Sequence, residues 1–162
     1  MTKSRRTRSV RVFNGHPRLR IPRESVARLV RSLDDAAQSN GWNPPDGELS
    51  VAFLTEAALA RIHKDFMDDP SPTDVITFPG DSAHDTMGEI CVSADRAASV
   101  AARRGVDFAR ELALYVVHGW LHLSGCDDKK PVARREMRAA ERAALAAAKA
   151  AGTLPAFAMV KA

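Results

Sequence analysis

The stretch from Asp107 to Ser124 constrains the fold more than any other part of the chain. Leu112, Leu114, Val116, Val117, Trp120 and Leu121 fall around most of a helical circumference rather than along one stripe. A helix this apolar has to be buried on most sides, so the pattern predicts a central helix with other elements packed round it. Asp107 supplies an N-cap side chain, and Gly125 stops the helix.

Periodicity shows what the covering layers are. Residues 9–14 (SVRVFN) alternate apolar and polar, as a short strand does, and Asn14-Gly15 is a turn signal. Pro22 suits a helix start. Val26, Leu29, Val30, Leu33 and Ala37 then recur at three- and four-residue spacing, giving an amphipathic helix that ends near Asn40-Gly41. Leu49, Val51 and Phe53 alternate in a second strand. Thr55 can cap a helix over about 56–65, with Leu59, Ile62 and Phe66 on its apolar side. Residues 74–78 (DVITF) and 88–93 (GEICVS) read as a third and fourth strand, close enough to pair as a hairpin. Ser93 or Asp95 starts a helix through about Arg104-Gly105, and an Ala-rich helix covers about 131–150.

The order β-α-β-α-β-β-α-α-α predicts an α+β fold, a small mixed β-sheet of about four strands with helices packed on it. A length of 162 residues fits one domain. The expected boundaries are a flexible basic tail over 1–8, a single domain over 9–151 and a C-terminal tail over 152–162.

Composition narrows the setting. Two cysteines exclude a disulfide scaffold and suit a reducing compartment. No run approaches the roughly 18 apolar residues of a membrane span. No apolar stretch follows the basic start, so a cytoplasmic location is expected. The net charge of +4 hides a split. Residues 1–23 carry a net +8, residues 24–128 a net −10 and residues 129–162 a net +6. Basic ends round an acidic middle fit a polyanion gripped at the edges of an acidic, metal-holding centre. The plain alternative is a basic tail and a solvated helix face.

The central helix also carries His118 and His122. Four residues apart, their imidazoles project from one face a turn apart, the spacing a zinc ion requires of two nitrogen ligands. Gly125 then lets the chain turn back and bring a third ligand. Cys126, Asp127 and Asp128 compete for that position. A thiolate favours a closed structural site, whereas a carboxylate leaves a harder, more open one suited to activating water. Gly119 stands where the HExxH zinc peptidases have their glutamate base, which argues against peptide hydrolysis. That glycine either clears space beside the metal or permits close packing.

At these residues the sequence resembles the bacterial YbeY family of metal-dependent endoribonucleases. The family signature H-G-x-L-H-L-x-G-Y-D-H is matched by His118-Gly119-Trp120-Leu121-His122-Leu123-Ser124-Gly125-Cys126-Asp127-Asp128. The Pro-Thr-Asp-Val-Leu-Ser-Phe-Pro block is matched over Pro72–Pro79, and Gly-(Asp/Glu)-Ile-x-(Ile/Val)-Ser over Gly88–Ser93. Arg110-Glu111-Leu112 matches the family's Arg-Glu-Leu ahead of the histidine pair, and Glu136, Met137 and Glu141 match its last helix. Three departures stand out. Asp128 replaces the third family histidine, Cys126 the family tyrosine, and Met67 an arginine.

The resemblance implies one divalent metal, Zn2+, held by His118, His122 and Asp128. Asp127 would join them in the catalytic set, orienting an imidazole or capping the loop. Thr73, Asp74 and Ser93 would line the substrate cleft, and Lys64 could stand in for the missing arginine. It further implies a single-strand-specific endoribonuclease acting in 16S rRNA 3′-end processing and ribosome maturation. Its partners would be precursor rRNA and a ribosomal subunit, with no membrane. Two alternatives remain open. One is a non-catalytic RNA-binding assembly factor retaining the fold, and the other is a metal hydrolase of another substrate. Arg103, Arg104, Arg110, Arg134, Arg135 and Arg138 are candidates for phosphate contact.

Overall fold

Alternating strand residues with apolar helices on either side produce a layered molecule. A computed structural model describes residues 7–69 and 73–161. In chain order it contains β1 (Val10–Asn14), β2 (Leu19–Arg20), α1 (Ser25–Asn40), β3 (Glu48–Leu54), α2 (Glu56–Met67) and β4 (Val75–Pro79). A short 3-10 turn at Ser82–His84 leads into β5 (Thr86–Ser93). After it come α3 (Ala94–Arg104), α4 (Phe108–Leu123), α5 (Pro131–Ala151) and β6 (Ala158–Met159).

The main sheet is four-stranded with order β1-β3-β5-β4. β1, β3 and β5 run parallel, and β4 returns antiparallel beside β5. The fold is therefore α+β with a mixed sheet, and β4 and β5 form the expected hairpin. Alternation divides the sheet's side chains between two faces. Leu49, Val51, Phe53, Ile90 and Val92 join the main core with α1, α4 and α5. Ile76 and Cys91 point the other way, where Leu59 of α2 covers them together with Leu54.

α4 lies in the middle as its composition requires. Leu112, Val116, Val117, Trp120 and Leu121 are wholly buried. Trp120 meets Trp42 edge-on at 5.7 Å, and its Nε1 donates to Asp34 Oδ1 at 3.3 Å. It is a core residue, not a stacking platform. Gly119 is the close-packing point. A Cβ there would stand 2.6 Å from Ile90 Cγ2, so only glycine lets α4 approach β5 this closely.

Three boundaries differ from the sequence expectation. α1 begins at Ser25 rather than at Pro22. The Ser25 N–H donates to Pro22 O, and Glu24 adopts a left-handed φ of 63°, so the proline belongs to a preceding turn. Residues 1–6 of the expected basic tail lie outside the described residues. Arg8, assigned to that tail, is instead buried. Its Nε and Nη2 donate to Asp34 Oδ2 and Oδ1 at 2.8 and 3.1 Å, and its Nη1 donates to Gly47 O. The expected C-terminal tail is also part of the structure. Phe157 is buried against Phe53 with ring centroids 5.3 Å apart. β6 pairs antiparallel with β2. Two-residue strands carry no alternation, which is why periodicity does not find them.

Candidate metal centre

The packing of α4 determines where its two histidines point. With Gly119 and Trp120 turned into the core, His118 and His122 emerge together on a half-buried face. Their Nε2 atoms lie 3.1 Å apart, and their rings meet edge-on at 4.6 Å. Beyond Leu123 the chain turns back. The Ser124 hydroxyl donates to Trp120 O, the Cys126 N–H donates to Leu121 O, and Gly125 takes a φ of 99°. Asp127 Oδ1 then accepts the N–H groups of Asp128 and Lys129 at 2.7 and 3.1 Å.

This turn brings Asp128 Oδ2 to 3.5 Å from His118 Nε2 and 3.4 Å from His122 Nε2. The three atoms form a nearly equilateral triangle. Two ligands of a tetrahedral ion with bonds of about 2.0–2.2 Å lie roughly 3.3–3.6 Å apart, so the triangle already has close to the size of a coordination face. His118, His122 and Asp128 are the one group of three potential ligands this close among the described residues.

Glu141 of α5 completes the arrangement. Its Oε1 accepts from His118 Nδ1 at 2.8 Å. With the proton held on Nδ1, the Nε2 lone pair is free to ligate and faces the other two donors. Burial pulls the His118 pKa down. The hydrogen bond and charge of Glu141 outweigh that, with help from Asp128 and Asp74, and leave it raised. A basic imidazole binds a cation well but also holds its proton longer, so metal binding weakens as pH falls.

The other candidate residues separate. Asp127 is exposed and acts as the cap of the loop; Glu141, not Asp127, orients an imidazole. Hydrogen bonds from the Lys129 and Asp128 N–H groups hold its carboxyl below the ordinary aspartate range. Cys126 is not in the ligand group, and burial, with the charge of Glu136, pushes its thiol up, away from thiolate. Asp74 is exposed just before β4, and its charge acts on both His118 and Tyr115. Thr73 precedes it, half-buried, with Oγ1 donating to Val75 O at 3.4 Å. Ser93 does not line a cleft: it is wholly buried, and its hydroxyl caps α3 by accepting from the Arg96 N–H. Lys64 is exposed on α2, across the sheet from α4, and among the described residues no hydrogen bond or ion pair joins it to His118, His122 or Asp128. Glu141 had a signal in the sequence. It is an acid on the same side of α5 as buried Met137, Ala144, Leu145 and Ala148.

Comparison with known proteins agrees with this architecture. The family described as Endoribonuclease YbeY matches residues 12–149. A Mycolicibacterium gilvum protein named Endoribonuclease YbeY is 41% identical over 130 residues, covering 73% of this chain and 69% of its own. A protein of the same name from an Exiguobacterium species is 36% identical over 135 residues, covering 75% and 85%. The solution structure of a Thermotoga maritima protein shares the fold with a TM-score of 0.59. It is 24% identical, covering 85% of this chain and 87% of its own. No helix among the described residues is long and apolar enough to cross a membrane. With a family match running from β1 to near the end of α5 and the signature histidines converging on one point, the chain belongs to the YbeY endoribonuclease family.

Proposed function

We propose that this chain is a zinc-dependent endoribonuclease of single-stranded RNA, acting in the cytoplasm on the 3′ end of precursor 16S rRNA during ribosomal-subunit maturation. The observation that carries the reading is the His118–His122–Asp128 triangle, with Glu141 fixing the tautomer of His118. Two imidazoles and one carboxylate at this spacing suit zinc and leave a position open. When bound, the ion supplies Lewis-acid polarisation of a phosphoryl oxygen and a more acidic water.

The chain's own groups do the positioning. Glu141 keeps the proton on His118 Nδ1, and the Asp127 cap holds Asp128 facing both histidines. Thr73 and Asp74, just before β4, offer a hydroxyl and a carboxylate to a ribose hydroxyl of the bound strand. Residues 118–122 lie on a helix locked against β5, so the ligand pair is held in place before substrate arrives.

Incubating single-stranded and duplex rRNA fragments with wild type and His122→Ala tests this reading. Expected is cleavage of the single strand by wild type, lost with His122→Ala and on chelation. A 2′,3′-cyclic phosphate end would identify the ribose hydroxyl as nucleophile, and a 3′-hydroxyl would identify water. RNA binding that survives His122→Ala, with no cleavage by either protein, would instead identify a non-catalytic assembly factor. That second reading draws on Met67, half exposed at the end of α2 where the family carries an arginine. Hydrolysis of small phosphoesters without RNA binding would identify a different hydrolase.

A further inference from the structure

We propose that one edge of α5 is the track on which the RNA backbone lies as it leaves the metal centre. The stripe consists of Arg134, Arg138 and Arg142, continued by Lys149. This inference rests on the reading of the centre as a ribonuclease site.

The stripe follows from helix geometry. Positions 134, 138 and 142 recur every four residues, and 149 follows 142 by seven, so all four side chains leave α5 along one edge. All four are exposed, and none makes an ion pair among the described residues. The helix offers them no acid. Its two glutamates are Glu136, on another side, and Glu141, which is engaged with His118. Like charges four residues apart repel. Three arginines in such a row therefore burden the isolated helix, and a polyanion laid along them removes the repulsion.

Position relative to the centre identifies the polyanion. Arg138 and Arg134 precede Glu141 by three and seven residues, one and two turns, so Arg134 lies about 10 Å along the axis from the residue that touches His118. The centre itself is ringed by carboxylates. Asp74, Asp127, Asp128 and Glu141 all repel a phosphate chain, so cations that hold the strand must stand beside the centre rather than in it. Lys64 is on the other face of the sheet. The stripe on α5 belongs to the same helix as a group that orients a metal ligand, so a strand held there has a fixed offset from the reacting phosphodiester.

The test measures anisotropy of a labelled single-stranded RNA, with chelator present to keep it intact, over a series of KCl concentrations. Wild type is compared with R134Q/R138Q/R142Q, because glutamine keeps helix propensity. A variant with three exposed charges removed elsewhere, R23Q/R28Q/R61Q, is the control. Expected for the stripe variant is at least tenfold weaker binding at low salt. The slope of log affinity against log salt should also fall by about 2, at roughly 0.7 per phosphate contact on a single strand. Metal content and melting temperature should match wild type. The control should keep most of the wild-type slope. An unchanged slope in the stripe variant, or an equal loss in the control, overturns the track while leaving the ribonuclease reading intact. Failure of wild type itself to bind or cleave RNA overturns both.

Discussion

α4 and α2 lie on opposite faces of one sheet and are held to it in different ways. α4 buries nine of its sixteen residues, Trp120 and Leu121 among them, and meets β5 through Gly119. α2 buries only Leu59 of its twelve. It is anchored by polar contacts at its N-terminus. Thr55 accepts the Ala58 N–H, and Asp95 Oδ2 accepts the Glu56 N–H at 2.8 Å while its Oδ1 accepts from His16 Nε2 at 2.7 Å. Toward its other end Phe66 and Met67 are exposed, and the sheet face beside them opens into a pocket of about 410 Å³. The two histidines of the candidate centre are on the helix that cannot shift without opening the core. Lys64, once a candidate for phosphate binding, is on the helix that can.

Substitutions on the two helices should differ in cost accordingly. Trp120→Ala should cost about 3–5 kcal/mol of unfolding free energy in denaturant titrations, through the cavity and the lost bond to Asp34. Next in size is Glu141→Gln, which keeps the shape but weakens the acceptor for His118 Nδ1. Zinc affinity measured calorimetrically should fall about 10–100-fold, with the fold intact by circular dichroism.

Asp95→Asn, at the anchor of α2, should cost about 1 kcal/mol at neutral pH. Burial raises the Asp95 pKa, but the hydrogen bonds from Glu56 N–H and His16, with the charges of His16 and Arg18, outweigh it and leave it lowered. A lowered folded pKa means the contribution is complete above the ordinary aspartate value and is lost as pH falls through the folded one. Stability of the variant should therefore fall less steeply than wild type in acid. Smallest is Phe66→Ala, whose edge contact with Phe78 at 5.4 Å is open to solvent. It should cost under about 1 kcal/mol. A loss there equal to that of Trp120→Ala would erase the contrast between the two helices.

The same contrast explains what the sequence revealed. α4 was readable because burial on most sides leaves an unmistakable composition, and Thr55, Ser93 and Asp107 cap their helices as side-chain chemistry requires. The ligand pair was readable because four-residue spacing on a helix is a geometric statement. The third ligand was not, because a loop has no period. Cys126, Asp127 and Asp128 separate only once the Asp127 cap and the Gly125 turn are built. Glu141 lies 23 residues from His118 in sequence, and only the packing of α5 on α4 joins them. Ser93 misled because one hydroxyl can serve a cleft or a helix cap, and burial decided for the cap. Arg8 and Phe157 looked like tail residues because their partners, Asp34 and Phe53, are distant in the chain.

Whether His118, His122 and Asp128 hold one divalent ion is read from metal content after equilibrium dialysis against zinc. Wild type, His122→Ala, Asp128→Ala and Asp128→His should be measured together. One zinc per chain is expected in wild type and in Asp128→His, with bound zinc lost in both alanine variants. A wild type that holds no metal while Asp128→His does, or an Asp128→Ala that keeps wild-type occupancy, would contradict the assignment of Asp128 as a ligand.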